Sequence, residues 1–598
     1  MFPMATEPLV FKELAGRKLM LCDVIYQSGN ATTGWKDYLN FVYKDLITKQ
    51  KGIYTITEPT IMLYEVPEEL RSTFKKPRHY MEKDKLIPHE VKYKDVLKEI
   101  AKMAGSEYEK FYYENKTKKM RRQLYKWPYC LGGDIPIETY YRVIWEQELD
   151  NEDRKWLDCI YLDIEVDQMH WDGPIPRRGE CPIDMISICD SVKRRVSTFY
   201  LKTKDNPQII PFIENRQEEL QQKLHERFDE SFPGFEYVQY AFDDERDLLT
   251  QAFRLIHVLK RDICFIWNMD FDIPYIIGRA EHLKMNPANL FCHSDFPTST
   301  LYYHEDNNNF DWDTKRNYFD CSSYTRYLDQ PAVYAGLRRS QTALRKVSLD
   351  AIATKEGVGE GKIKFGEETK GNFILFSRNN FLLYDVYNVN DTLLQSGINE
   401  KCNDAYNLYN SCLHSYCNYK DGMKQTVSLR AFFYREFLIN DNLILGHNVN
   451  FDNGAKRVDS DNGYYDEDAE SDSFERDLED SQESFEGAIN GDPELNGHHG
   501  IILFGKASKY LFGDSIDFDF SAMYPNSICS FNIFAATMIG KLFIIDGDKL
   551  KRYDDDAGKE FVEDLIAKNT LFLGEKWFNL PSYETISAEV YNRMKMTA

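Results

Sequence analysis

The stretch Cys159-Ile-Tyr-Leu-Asp-Ile-Glu-Val166 constrains the fold of this chain more than any other. A run this short and this apolar reads as a buried strand, inside a sheet that helices must cover. Asp163 and Glu165 interrupt it two residues apart, so both carboxylates leave the same face of the strand. Two acids projecting together repel unless cations hold them, and oxygen ligands of this kind suit Mg²⁺ or Mn²⁺.

The surrounding pattern supplies the rest of a mixed α/β (α+β) arrangement. Ile183 to Cys189 and Thr198 to Leu201 read as partner strands, Asp244 to Lys260 as an amphipathic helix, and Ile263 to Trp267 as another apolar strand. Arg378 to Asn410 is a long helical pattern, and Val427 to Leu438 a second apolar-periodic one. At 598 residues the chain is too long for one core, and about three or four domains are expected. The divisions fall at 1–157, a mixed N-terminal domain with turn signals at Gly29-Asn30 and Gly132-Gly133; at 158–404, strands alternating with helices; and at 405–451, a helical return to the N-terminal domain. Residues 452–494 hold 16 acidic and 3 basic residues and too few apolar ones to offset ordering entropy, so they read as a disordered surface insertion. Residues 495–598 resume strand-like patterns.

The net charge of −23 argues at first sight against a nucleic-acid partner. The acidic stretch carries more than half of that excess, and basic clusters persist at Lys116 to Lys126, Lys193-Arg194-Arg195 and Arg338 to Lys346. Net charge therefore does not decide the partner. Twelve scattered cysteines without a CxxC pair favour reduced thiols and a cytoplasmic location. No basic n-region with an apolar run marks a secretory signal at the start, and no apolar run is long enough to span a membrane.

Two further segments carry acids that complement Asp163 and Glu165. One is Trp267-Asn268-Met-Asp-Phe271-Asp272, just beyond an apolar strand, where a loop is expected. The other is Tyr387-Asn-Val-Asn-Asp391, whose Tyr and Asp, four apart, share one helix face. A tyrosine hydroxyl beside a metal-bound water could orient it for in-line attack, with two cations about 3.5–4 Å apart stabilising the attacking and leaving oxygens. Each piece alone is common: Asp-x-Glu occurs on many strands, and Tyr-x-x-x-Asp is usually a surface pair.

The ordered combination, with Phe271-Asp272-Ile-Pro-Tyr275 in its middle, resembles the 3′–5′ proofreading exonuclease of family B DNA polymerases. The resemblance implies an RNase H-like domain in which Asp163, Glu165, Asp272 and Asp391 hold two Mg²⁺ or Mn²⁺ ions and Tyr387 orients the water. It also implies Phe271 and Tyr275 as base-stacking neighbours. Where the family usually has three residues between the Asn and the Phe-Asp, this chain has Met269-Asp270 alone, which leaves Asn268 without a clear role and makes Asp270 a less favoured substitute ligand. The stretches Phe319 to Leu328 and Val347 to Ala353 resemble segments between the second and third exonuclease motifs. Tyr302 to Phe319 reads as a hairpin with a polar tip, which in family members helps hand the primer strand to the editing site.

Downstream, Asp517-Phe-Asp519-Phe520-Ser-Ala-Met-Tyr524-Pro525 resembles the first motif of the polymerase palm. Carried over, the resemblance implies Asp519 as a catalytic metal ligand and the Phe520 carbonyl as a second contact, with two Mg²⁺ or Mn²⁺ ions in this active site as well. Ser521, Ala522 and Met523 would offer backbone N–H groups to a deoxynucleoside triphosphate, and Tyr524 would lie under its sugar. The family's fingers helix and its second acidic hairpin are not in this sequence. The layout is closest to T4-like bacteriophage polymerases and reads as the N-terminal subunit of a split polymerase, exonuclease plus incomplete palm. The implied partners are primer-template DNA, single-stranded DNA 3′ ends, deoxynucleoside triphosphates, a second polymerase polypeptide carrying fingers, remaining palm and thumb, and a sliding clamp. No membrane is implied, and the compartment is the cytoplasm, the host cell's if the protein is viral. Two other readings compete: a stand-alone 3′–5′ DNA exonuclease, and a non-catalytic DNA-binding replication subunit.

Overall fold

The computed structural model describes residues 10–71, 83–149, 157–173, 176–202, 209–306, 315, 317–338, 347–363, 381–422 and 425–439, together with three short strands between 544 and 579. The acidic stretch 452–494 and the palm-like motif with Asp517, Asp519, Phe520, Ser521, Ala522, Met523 and Tyr524 lie outside the described residues. The chain divides into two compact units, one of residues 1–65, 87–106 and 130–441, the other of residues 66–86, 107–129 and 442–598.

In the first unit, β1 (Leu19–Gln27), β2 (Tyr38–Asp45) and β3 (Lys51–Thr57) form an antiparallel sheet, with a bulge in β1 between Leu21 and Asp23. A smaller sheet has the order β5 (Ile87–Lys92), β4 (Thr60–Glu65), β6 (Cys130–Leu131), and helices α1 (Val96–Ala104) and α2 (Ile137–Glu148) follow β5 and β6. The central feature is a six-stranded mixed sheet of order β10-β9-β8-β7-β11-β14. Its members are β7 (Cys159–Val166), β8 (Ile183–Asp190), β9 (Arg195–Leu201), β10 (Glu236–Phe242), β11 (Ile263–Ile266) and β14 (Arg326–Asp329), with α3 (Ile209–Phe228) between β9 and β10. β7, β11 and β14 run parallel to one another, and β8 lies antiparallel against β7. Sequence patterning makes β8 and β9 both neighbours of β7, but β9 lies one strand further out, paired with β8 and β10. The expected hairpin is present as the antiparallel pair β12 (Leu301–His304) and β13 (Tyr318–Cys321).

Alternation along β7 sorts its side chains between two cores. Ile160, Leu162 and Ile164 pack with Leu248, Phe253 and Ile256 of α4 (Glu245–Leu259) and Ile273 and Ile276 of α5 (Met269–His282). Cys159 and Tyr161 pack on the opposite face with Phe265 and with Val386, Val389 and Leu393 of the later helix Phe381–Cys402. Phe265 is fully buried, and its truncation to Ala would cost about 3–5 kcal/mol. Asp163 and Glu165 continue the Tyr161 face, so the covering helix lies over both carboxylates.

The connection from β14 runs through α6 (Gln330–Leu337) and α7 (Leu349–Glu356) to that helix, α8 (Phe381–Cys402), and then to α9 (Asp404–Ser415) and α10 (Gln425–Ile439). The helical pattern from 378 to 410 is thus two helices rather than one. Asn403 takes a left-handed conformation (φ 54°), which asparagine tolerates better than most residues. Asn399 Oδ1 accepts from Ala405 N at 2.9 Å, and Arg338 pairs with Asp404 at 2.9 Å, fixing the new direction. The eleven described cysteines are free, and among the described residues no helix is long and apolar enough to cross a membrane.

Buried ion pairs join the β1–β3 sheet to the amino ends of the parallel strands. Lys51 Nζ meets Asp262 at 2.7 Å, just before β11, with both side chains 3% exposed. Lys44 pairs with Asp158, just before β7. Asp23, at the bulge, pairs with Arg326 at the start of β14 and with Arg142 of α2 at 2.8 Å. The second unit contains a three-stranded antiparallel sheet of order β15 (Ile544–Ile545), β17 (Lys576–Asn579), β16 (Thr570–Leu573), and the Arg71 guanidinium lies over the rings of Trp127 and Tyr129.

Candidate active site

The carboxyl ends of parallel strands are where α/β sheets most often place ligands. Here Ile266 of β11 stands in register with Leu162 of β7 on one side and Asp329 of β14 on the other. Beyond that row come Asp163 and Glu165 on β7, and Asp272 in the first turn of α5. Asp272 is therefore helical, not in a loop. Its N–H and that of Phe271 both donate to the carbonyl of Asn268 at 2.9 Å, so Asn268 starts the helix through its backbone. The shortened spacing around Asn268 is absorbed in this first turn.

From the covering helix, Asn388 Nδ2 donates to Asp163 Oδ2 at 2.7 Å. One turn apart on α8, Tyr387 and Asp391 share a partner absent from the sequence expectations: Lys362 Nζ lies 2.7 Å from Asp391 Oδ2 and 3.0 Å from the Tyr387 hydroxyl. Lys362 ends the run Gly357-Val-Gly-Glu-Gly361, in which all three glycines adopt positive φ. At Gly361 a Cβ would come within 2.7 Å of Asp350 Oδ1, the atom that also accepts from Lys362 N at 2.9 Å. Alternate glycines ending in a lysine were the available signal, but only folding sets that lysine beside a helix 25 residues further on.

Electrostatically the four acids form one group. Burial, then the charge of Asp391, pushes the Asp163 carboxyl up to about 8. Glu165 is raised well above its ordinary value by burial and then by Asp163, Asp391 and Asp184. Asp272 is raised similarly by burial, then by Asp163, Asp270 and Asp329. Asp391 reaches about 6 through burial, opposed by Lys362. Burial alone would lower the Lys362 ammonium, but Asp391 and Tyr387 outweigh it and hold it charged. Burial, followed by Asp391 and Glu165, also raises Tyr387, so its hydroxyl keeps its proton at neutral pH.

These donors suit a hard divalent cation in chemistry. Asp272 Oδ2 and Asp391 Oδ1 are buried and accept no hydrogen bond among the described residues, and one lysine faces four carboxyls. Among the described residues no three acids, histidines or cysteines converge to ion-binding distance. The carboxyls are gathered by the fold, with Lys362 and Asn388 occupying one oxygen each of Asp391 and Asp163. Tyr275 is not a base-stacking surface: it is fully buried, its hydroxyl bonds to Cys181, and its ring stacks on Phe271 at 5.1 Å. Phe271 is partly buried.

A mixed sheet with acids at the carboxyl ends of its parallel strands, covered by a helix bearing Tyr387 and Asp391, defines an RNase H-like nuclease domain. Residues 133–326 match the DNA polymerase family B exonuclease domain. It is 27% identical over 199 residues to a DNA polymerase of Autographa californica nuclear polyhedrosis virus, covering 33% of this chain and 19% of that polymerase. It is 27% identical over 180 residues to a DNA polymerase of Bombyx mori nuclear polyhedrosis virus, covering 29% of this chain and 17% of the relative. The matches thus span less than a fifth of the relatives' length. Exonuclease domains of this family work with divalent metal ions.

Proposed function

We propose that this chain is a 3′–5′ proofreading exonuclease of a replicative DNA polymerase, acting on single-stranded 3′ ends. The observation that carries the reading is the gathering of Asp163, Glu165, Asp272 and Asp391, from three separate segments, beside Tyr387. Hydrolysis adds a water oxygen to the last phosphorus and breaks its bond to the 3′ oxygen of the preceding nucleotide. A nucleoside monophosphate leaves, and the strand keeps a 3′ hydroxyl. Asp163, Glu165, Asp272 and Asp391 would hold Mg²⁺ or Mn²⁺, which would supply charge stabilisation for the attacking and leaving oxygens. Tyr387, kept protonated, orients the water rather than removing its proton. Lys362 fixes the Tyr387 hydroxyl from the other side.

The same reading assigns residues 495–598 to the first part of a palm, with Asp519 and the Phe520 carbonyl binding metal, Ser521 to Met523 the triphosphate, and Tyr524 the sugar. Synthesis on primer-template DNA would then use fingers, remaining palm and thumb from a second polypeptide, with a sliding clamp as a further partner. The combined substitution Asp163→Ala/Glu165→Ala tests the nuclease assignment on a 5′-labelled oligonucleotide with Mg²⁺. Degradation should fall by about a thousandfold or more with the melting curve retained; undiminished digestion overturns it. Asp519→Ala should leave degradation unchanged and abolish primer extension once the second polypeptide is added. Primer extension by the chain unaided would refute the need for that partner.

A further inference from the structure

Asp270 is the acid that the reaction leaves over. It stands in the first turn of α5, two residues before Asp272, and its Oδ2 lies 2.6 Å from Lys315 Nζ. Lys315 belongs to the connection between β12 and β13. The lysine side chain is 14% exposed and the aspartate 30%, so the pair sits at the rim of the site rather than inside it. Behind it the environment is acidic. Burial and then the charge of Asp270 raise the buried Asp329 carboxyl to about 8, with Lys315 opposing, and burial, Asp163 and then Asp270 raise Asp272.

A strand that presents its last phosphodiester to Asp272 brings its next phosphates past this rim, each carrying a negative charge. Carboxylates there repel them, and Lys315, paired with the residue two before Asp272, is placed to meet them. A partly exposed ion pair is weakly held, because water competes for both ends. Phosphate can therefore exchange with the Asp270 carboxylate, and a lysine serves phosphate as a mobile point charge. We propose that Lys315 binds a backbone phosphate of the incoming single strand and that Asp270 holds this lysine in place while competing for its charge. The inference rests on the exonuclease reading, and it predicts opposite effects for the two partners of one ion pair.

The test is binding of a 5′-fluorescent oligothymidylate to the full chain in EDTA, so that no cleavage intervenes, across a salt series. Lys315→Gln should weaken binding about threefold to tenfold and reduce the slope of log affinity against log salt by about 0.7. Asp270→Asn should tighten binding by about threefold, and the double variant should match Lys315→Gln. Lys315→Arg, keeping the charge, should bind within about twofold of the parent and separates lost charge from lost folding. Equal weakening by Lys315→Gln and Asp270→Asn would make the pair a purely structural tie and overturn the proposal, as would unchanged affinity in Lys315→Gln. If the parent chain itself fails to bind the oligonucleotide, the exonuclease reading falls first.

Discussion

The two ends of the parallel strands β7, β11 and β14 treat buried charge in opposite ways. At their amino ends, Asp158 meets Lys44, Asp262 meets Lys51, and Arg326 meets Asp23. At their carboxyl ends, Glu165, Asp272 and Asp329 are buried and Asp163 is half-buried, no ion pair among the described residues holds any of them, and Lys362 is shared among Asp163, Glu165, Asp272 and Asp391. The same side-chain type responds with opposite sign. Lys51 and Lys44 outweigh the burial of Asp262 and hold its carboxyl below the usual range, whereas Asp163 and Asp329 are pushed up to about 8. Charge matched in place is a device for holding two sheets together. Unmatched acids at equal depth are an arrangement that stability alone does not favour, and such arrangements cluster at sites of chemistry.

The contrast is sharpest where one partner can be removed. Lys51→Met leaves Asp262 buried with its main counter-charge gone and should cost about 3–5 kcal/mol, read from the urea midpoint. A loss under ~1 kcal/mol would mean the amino end is not held by charge. Gly361→Ala should cost about 1–3 kcal/mol, because φ is +81° and the added Cβ would press on Asp350. It should also displace Lys362, seen as a changed Tyr387 ring environment by NMR. Asp272→Asn should do the reverse of Lys51→Met, raising metal-free stability by about 1 kcal/mol at pH 8 while removing nuclease activity. Destabilisation by that change would break the comparison.

The pH dependence completes the set. Asp163 and Asp391 have folded-state values above their unfolded ones, so the native protein holds more protons between about pH 4 and 8. Stability of the metal-free chain should therefore fall as pH rises from 5 to 8, lowering its melting temperature by a few degrees. Lys362, raised from an already high value, stays charged throughout and adds no slope there. Mg²⁺ at pH 8 should return the loss, with proton release measurable in a weakly buffered titration. A melting temperature rising steadily to pH 8 without metal would count against the raised carboxyls.

Much of the site was legible because it lay in local patterns. β7 begins and ends where the apolar run does, and the two-residue spacing of Asp163 and Glu165 fixed their common face. The four-residue spacing of Tyr387 and Asp391 worked equally well on α8. What was not legible depends on distant contacts. Nothing local in Lys44 or Lys51 announces a partner in the nuclease sheet, and Lys362 acquires its role only when its glycine-rich turn meets α8. Asn403 reads as an acceptable helical residue, and the break appears only once Asn399 and Arg338 claim the next turn. Tyr275 looked like a surface ring because its motif flanks the site, yet its hydroxyl is tied to Cys181.

The lysines of β2 and β3 have a consequence for how this protein can be cut or recombined. A nuclease excised at residue 157 would keep Asp158 and Asp262 and forfeit the ammonium groups that neutralise them, so the excised piece would carry two stranded anions at its base. The amino-terminal sheet is in effect a counter-ion for the catalytic one. Exchange between relatives must move the two as a single cassette, and a graft that replaces only one should fail to fold before it can be assayed.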